Sequence, residues 1–164
     1  MTAATTPATL AELAAGGPDA WFSALSQVAR AEADHLATLG MADFRLLVEV
    51  TSEAGAARFG IVLDGYDVTV THRLAPEEAF ASDAVLRGDE ASWRELVENI
   101  VANNGADVSH SLNALSIAGW PLELSSGDPV GRDKFFRYAE TLQALFDAIS
   151  RLGAAPAGSA AREH

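Results

Sequence analysis

The chain contains no cysteine, a single lysine (Lys134) and no long uninterrupted run of apolar residues. The absence of cysteine excludes disulfides, thiolate zinc sites and cysteine nucleophiles, and it agrees with a reducing, cytoplasmic setting. The 23 acidic residues outnumber the 11 basic ones and leave a formal charge of −12. Because nucleic-acid affinity depends mainly on lysine and arginine side chains that neutralise phosphates, we expect no nucleic-acid partner.

The apolar content indicates the class of protein. Hydrophobic residues make up 49% of the 164 positions, which is enough for one full core without a metal or a disulfide. No segment approaches the roughly 18–20 apolar residues that cross a bilayer, and residues 1–17 lack the features of a secretory signal. We therefore expect a cytoplasmic protein with no stable membrane insertion and no cofactor.

The chain divides into three segments by composition. Residues 1–17 are rich in alanine and threonine and are expected to form a flexible leader. Residues 18–152 are expected to form a single domain. Residues 153–164 lack bulky apolar side chains that could offset the entropy of ordering, so we expect a disordered tail.

Alternating apolar and polar residues predict strands. The alternation from Phe44 to about His72 indicates a three-stranded antiparallel meander, and Asp64-Gly65 is typical of a hairpin turn within it. A fourth short strand is predicted over 83–86 and an isolated fifth one over 120–124. The three strands of the meander have one apolar and one polar face, so one side of the sheet must be covered by other elements.

The remaining periodic segments predict helices. Pro18 suits the first turn of a helix that runs to about Leu39. Asp89 is placed to cap a second amphipathic helix, and a shorter helix precedes the fifth strand. Asp128 followed by Pro129 predicts the start of a long C-terminal helix.

Three stretches carry a family resemblance. They are Val48–Thr51 with Phe59–Gly65 as an opening hairpin, Ser82–Gly88 followed by Ser92–Val97 as a strand-to-helix passage, and Leu112–Leu124 as a helix that leads to a fifth strand. In this order of elements the chain, from Phe44 to about Leu152, resembles the sterol carrier protein 2-like (SCP2-like) domain family.

The resemblance implies an α+β fold. It comprises a five-stranded, mainly antiparallel sheet covered on one face by helices, with an N-terminal helix and a long C-terminal helix. It also implies a hydrophobic tunnel for lipids, sterols or acyl chains. The chain departs from the family in its acidic surface and in Leu115–Trp120, where the family usually has a Gly-Lys-Leu pattern. We therefore expect binding rather than bulk lipid transfer between membranes.

A set of apolar, mostly aromatic side chains is expected to line a cavity between sheet and helices. The set is Trp93, Val97, Leu112, Leu115, Trp120, Phe135, Phe136 and Tyr138. In this interpretation the protein is a non-catalytic carrier of a sterol, a fatty-acyl chain or a polyketide-like molecule. The alternative is that the same residues are ordinary core.

His110 is the one candidate for a catalytic residue, because imidazole titrates near neutral pH. We favour a partly exposed structural histidine. No spacing of His, Asp or Glu in the sequence fits a metal site, so none is expected. Two further functions stay open: a small-molecule enzyme that uses the same cavity with His110 as base, and an accessory subunit or homodimer without a ligand.

Overall fold

Five strands form one mixed sheet in a computed structural model that describes residues 9–117 and 121–152. The strands are β1 (Ala42–Ser52), β2 (Gly55–Gly65), β3 (Asp67–Val70), β4 (Ala84–Asp89) and β5 (Glu123–Ser125). They lie in the order β3-β2-β1-β4-β5; β1 and β4 are parallel, and the other neighbours are antiparallel. The predicted α+β fold with a five-stranded, mainly antiparallel sheet is confirmed.

The helices are α1 (Leu10–Ala15), α2 (Pro18–Ala31), α3 (Ala33–Ala37), α4 (Glu90–Asn103), α5 (Leu112–Ile117), α6 (Pro129–Arg137) and α7 (Ala139–Asp147). Two 3-10 turns, Val108–His110 and Ala148–Arg151, precede α5 and follow α7. The helices cover the sheet face that carries Phe44, Leu46 and Val48 of β1, and all three of these side chains are buried. This arrangement follows from the alternation in β1, since successive side chains of a strand point to opposite faces.

Several helix and turn signals act as predicted. Asp89 caps α4 by accepting a hydrogen bond from the backbone of Ser92, and Asp128 caps α6 in the same way, with Pro129 at the first helical position. α4 ends at Asn104, which adopts the left-handed conformation at φ 55°. Short polar residues therefore stand at the start of α4 and α6, as the sequence indicates, and at the end of α4.

Both long helical segments contain breaks that the sequence does not reveal. The N-terminal one is interrupted at Glu32 (φ −107°, ψ 18°), which separates α2 from α3. The C-terminal one has the same kind of break at Tyr138 (φ −103°, ψ 16°), which separates α6 from α7. Each break residue makes a distant contact: Glu32 with Arg151, and Tyr138 with the ring of Phe44.

Residues 9–17, which the sequence assigns to a flexible leader, are ordered in the structure around α1. Leu13 is buried, and its carbonyl accepts a hydrogen bond from Trp21 Nε1 at 3.1 Å. Arg94 of α4 donates to the carbonyls of Ala14 and Gly16, at 3.1 and 2.7 Å. α1 therefore packs on α4. The buried side chains of Leu13 and Ala14 form its apolar face, and burial of this face favours the ordered position. The remainder of the predicted leader, residues 1–8, and the predicted tail, residues 153–164, lie outside the described residues.

The second face of the sheet is partly covered by the loop after β3, residues 71–83, which we call the outer-face loop. The ring of Phe80 lies against Gly60, where a side chain of any other residue would collide with it. Arg45 holds this loop: its Nε donates to the carbonyl of Ala81 at 2.6 Å, and its guanidinium lies 4.6 Å from the Phe80 ring centroid. Leu47, the register partner of Gly60, is 6% exposed even though it points away from the helices.

Candidate functional site

Trp93 and Val97 lie deep in the core, on one face of α4. The Trp93 ring is stacked on Phe146, with centroids 6.1 Å apart, and meets Phe22 edge-on at 6.5 Å. Its Nε1 donates to the carbonyl of Glu49 at 3.3 Å, which satisfies the polar end of a buried indole. Apolar packing and this hydrogen bond together hold Trp93 in one position.

A second aromatic group brings three predicted residues together with Phe44 of β1. Phe135 is fully buried, and its ring centroid lies 6.5 Å from Phe44 and 5.2 Å from Phe136. Tyr138 packs on Phe44 at 6.3 Å. Phe136 and Tyr138 are half-buried, and the guanidinium of Arg132 lies 5.4 Å above the Phe136 ring. This group therefore extends from the core to the surface.

Helix α5 carries Leu112, which is buried, and Leu115, which is half-buried against the core. The backbone N–H of Leu112 donates to Gln143 Oε1 of α7 at 2.8 Å. Gln143 Nε2 donates in turn to Asp147, whose carboxylate also accepts the N–H of Ala106 at 2.9 Å. Sequence reasoning missed Gln143 and Asp147. Their signal is a pair of polar residues four apart in the second half of α7.

An open groove of about 560 Å³ separates α5 from α6 and α7. Phe136, Ala139 and Ala144 supply its apolar lining. Its polar lining consists of Ser111, Asn113, Arg137, Glu140, Gln143 and Asp147. Of the predicted site residues that the structure describes, Phe136 lines this groove directly. Trp120, which was predicted for the same site, lies outside the described residues.

His110 connects the 3-10 turn before α5 to α4. Its Nδ1 lies 2.8 Å from Asp107 Oδ1, and its Nε2 lies 3.2 Å from Glu95 Oε1. These hydrogen bonds, the one with Asp107 first, raise the pKa of His110 above its ordinary value. The hydrogen bond from Asn99, followed by that from His110, lowers the pKa of Asp107.

This geometry favours a structural link over a base, because a protonated imidazole donates through both ring nitrogens and both face carboxylates. Sequence reasoning named His110 but not its partners Asp107, Glu95 and Asn99. The spacing of Asp107 and His110 is the only local signal, since Glu95 and Asn99 come from the preceding helix.

Residues 9–117 and 121–152 contain no group of three or more His, Asp or Glu side chains arranged to hold a metal ion. None of the helices in these two ranges combines the length and the apolar character that crossing a membrane requires.

No protein-family model matches the chain, and no curated protein matches its sequence. Solved structures do match. The crystal structure of sterol carrier protein 2 matches with a TM-score of 0.58 at 16% identity, over 80% of this chain and 95% of that one. The solution structure of a conserved hypothetical protein from Thermus thermophilus matches with a TM-score of 0.51 at 14% identity, over 82% and 90%. Strand order, helical cover and these matches agree, and the chain therefore has the SCP2-like fold.

Proposed function

We propose that this protein binds a hydrophobic small molecule without catalysis, between the sheet and the helices α5, α6 and α7. The proposed ligand is a sterol, a fatty-acyl chain or a polyketide-like molecule. The SCP2-like fold supports the proposal, because a matching structure is that of a protein named as a sterol carrier. A cytoplasmic setting is part of the proposal, and the lack of cysteine supports it.

The observation that carries the proposal is the continuity of aromatic surface from groove to core. Phe136 lines the groove, its ring meets Phe135 at 5.2 Å, and Phe135 meets Phe44 of the sheet. A ligand that enters along Phe136 would exchange water for apolar contacts. Such burial contributes about 25 cal/mol per Å² of apolar area, less the cost of ordering ligand and side chains.

The wall that would move to admit a ligand is α5. It has six residues, and a helix this short has no stability of its own, so it depends on packing. Leu112 and Leu115 supply that packing. In addition, the backbone N–H of Leu112 donates a hydrogen bond to Gln143 of α7. A displaced α5 would expose Leu112, Leu115 and Phe135 to the ligand, with Tyr138 at the side. Trp93 and Val97 would support the site from the core.

The first test is native mass spectrometry of the freshly purified protein, before and after extraction with organic solvent. A stoichiometric hydrophobic adduct that extraction removes is the expected result, and its mass identifies the ligand class. An unliganded protein that then binds neither oleate nor cholesterol would contradict the proposal. The same spectra report whether the protein is a dimer, which is the expectation of the interaction-subunit alternative.

A pair of variants on one helix tests the site. Phe136→Ala removes apolar groove lining and should weaken oleate binding about tenfold, the equivalent of some 50–60 Å² of lost apolar contact. Val130→Ala is the matched control, because Val130 is also on α6 but is 58% exposed. Equal effects of the two substitutions would mean that binding does not involve the groove.

A further inference from the structure

A second cleft, separate from the groove beside α5, lies between α2 and the strands β2 and β3. Its volume is about 280 Å³, and it is enclosed by side chains of Phe22, Ser23 and Ser26 on α2 and by Phe59 on β2. Its open side is flanked by Asp19 at the start of α2 and by Arg73 in the outer-face loop. A cleft of this size holds a molecule smaller than most drug-sized ligands.

The inner surface of this cleft is aromatic. The rings of Phe22 and Phe59 are stacked, with centroids 4.1 Å apart and an angle of 8° between their planes. Phe22 and Phe59 are 2% and 1% exposed, so the surface that they offer is small, but it does not depend on a side chain that must first be ordered. Ser23 and Ser26 lie three residues apart on α2 and add two hydroxyl groups to one side. The inner surface thus suits an apolar body, and the hydroxyls suit a polar edge.

The mouth of the cleft is crossed by an ion pair. Arg73 Nε lies 3.1 Å from Asp19 Oδ1, and the two side chains are 52% and 69% exposed. An ion pair this exposed contributes little stability, so an external carboxylate can replace Asp19 at small cost. Arg73 also lines a neighbouring cavity of about 350 Å³, which leaves its guanidinium room to turn.

We propose that this cleft binds a small carboxylic acid with an apolar body, whose carboxylate replaces Asp19 as the partner of Arg73. The apolar body would lie over Phe22 and Phe59, and the guanidinium would receive the carboxylate through two parallel hydrogen bonds. Arginine is the residue suited to this contact because its planar donors match the two oxygens of a carboxylate. The acid must overcome the repulsion of a chain with a formal charge of −12, so binding depends on the positive charge near the cleft, of which Arg73 lines the cleft itself and Arg30 lies behind Ser26.

The experiment is an NMR titration of the ¹⁵N-labelled full chain with 4-phenylbutyrate, and with 4-phenylbutanamide as its uncharged analogue. The acid is expected to shift the backbone amide signals of Ser23 and Thr71, which belong to the cleft. The amide is expected to bind at least about tenfold more weakly, because it lacks the charge that pairs with arginine. Equal binding of acid and amide would overturn the proposal, as would the absence of binding by the acid.

Three substitutions complete the test. Arg73→Gln should weaken binding of the acid about tenfold or more, and Asp19→Asn should tighten it up to about fivefold by releasing the guanidinium. Arg87→Gln is the matched control, because Arg87 is also 52% exposed and also pairs with one carboxylate, that of Glu49. Binding that survives Arg73→Gln, or that does not tighten in Asp19→Asn, would overturn the exchange of partners. Loss of binding in Arg87→Gln to the same extent would show a response to net charge only, which also overturns it.

Discussion

Arg151 donates two hydrogen bonds to the carboxylate of Glu32, from Nε at 2.7 Å and from Nη2 at 3.1 Å. The pair joins the last helical turn of the described domain to the junction of α2 and α3. It is bidentate, which is the strongest geometry for such a contact. Glu32 is also the residue at which the first long helix breaks. The same ion pair therefore lies at this break and connects it to the C-terminal end of the described domain.

Removing this ion pair should lower the free energy of unfolding by a measurable amount. Arg151→Gln is expected to lower the free energy of unfolding by about 0.5–1 kcal/mol at pH 7, because Arg151 is about half exposed and solvent screens the interaction. Urea denaturation of wild type and variant measures the difference. Arg137→Gln is the control, since its pair with Asp133 is more exposed on both sides, and it should cost less.

The effect of Arg151→Gln should also depend on pH. The hydrogen bond from Arg151 is the main reason that the pKa of Glu32 lies below its ordinary value. A carboxyl with a lowered folded pKa stabilises the fold above its unfolded pKa, and this contribution is lost as the pH falls through the folded pKa. The two stability curves should therefore converge toward acid pH. A constant gap from pH 7 to acid conditions would contradict the assignment.

His110 should give the opposite dependence. Its pKa is raised, so its link to Asp107 and Glu95 is fully present below the unfolded histidine pKa and is lost as the pH rises through the higher folded value. His110→Gln should therefore lower stability most near pH 6 and least near pH 9. Thermal denaturation across this range measures the difference, and an NMR titration of the ring gives the folded pKa directly. A difference that grows with pH would contradict the geometry.

The elements that could be predicted from the sequence are those with local signals. Asp89 and Asp128 cap the helices that they precede, and Asp64-Gly65 lies at the hairpin that joins β2 to β3, because each acts on residues within three or four positions. The breaks at Glu32 and Tyr138 could not be predicted, since each break residue contacts a partner about a hundred residues away.

The same distinction applies to the candidate site. Phe135 and Phe136 were visible in the sequence as aromatic neighbours on the C-terminal helix, and adjacent helical positions point about 100° apart, which allows one ring to face the core and the other an opening. The tie between Leu112 and Gln143 was not visible, because it depends on how α5 lies against α7. The cleft at Phe22 and Phe59 was missed for the same reason, since its walls come from a helix and from strands that meet only in the folded chain.

Gly131 tests the packing of α6 against the start of β4. A Cβ at this position would overlap the carbonyl oxygen of Asp83 and lie 3.0 Å from Ser126 Cβ. Alanine would gain up to about 1 kcal/mol in helix propensity, but backbone cannot rotate away as a side chain can, and overpacking costs about 1–3 kcal/mol or more. We expect Gly131→Ala to lower the unfolding free energy. Gly127→Ala, where the added Cβ meets no atom within 4 Å beyond Gly127 and its two chain neighbours, should be neutral in the same urea denaturation.

A substitution at Arg45 tests whether this side chain holds the outer-face loop against the sheet. Arg45→Gln removes the hydrogen bond to Ala81 and the guanidinium above Phe80. A loss of about 1 kcal/mol in local stability would raise the open population, and hence cleavage by chymotrypsin after Phe80, about fivefold. Arg87→Gln, on the same face of the sheet, should leave the cleavage rate unchanged. Equal rates for wild type and Arg45→Gln would mean that other contacts hold the loop.

Substitutions at Trp93 and Phe136 distinguish a role in the core from a role in the proposed ligand site. Trp93→Ala should cost about 3–5 kcal/mol of stability, because it empties a buried position that packs on Phe22 and Phe146. Phe136→Ala should cost less, since Phe136 is half-buried, yet weaken oleate binding more. Trp93→Phe keeps an aromatic ring; it loses the hydrogen bond to Glu49 and some buried volume, but less than Trp93→Ala, so it allows binding to be measured on a folded protein. Near-normal oleate binding by Trp93→Phe is expected if Trp93 supports the site from the core; loss of binding with stability retained would instead make Trp93 part of the ligand-contacting surface.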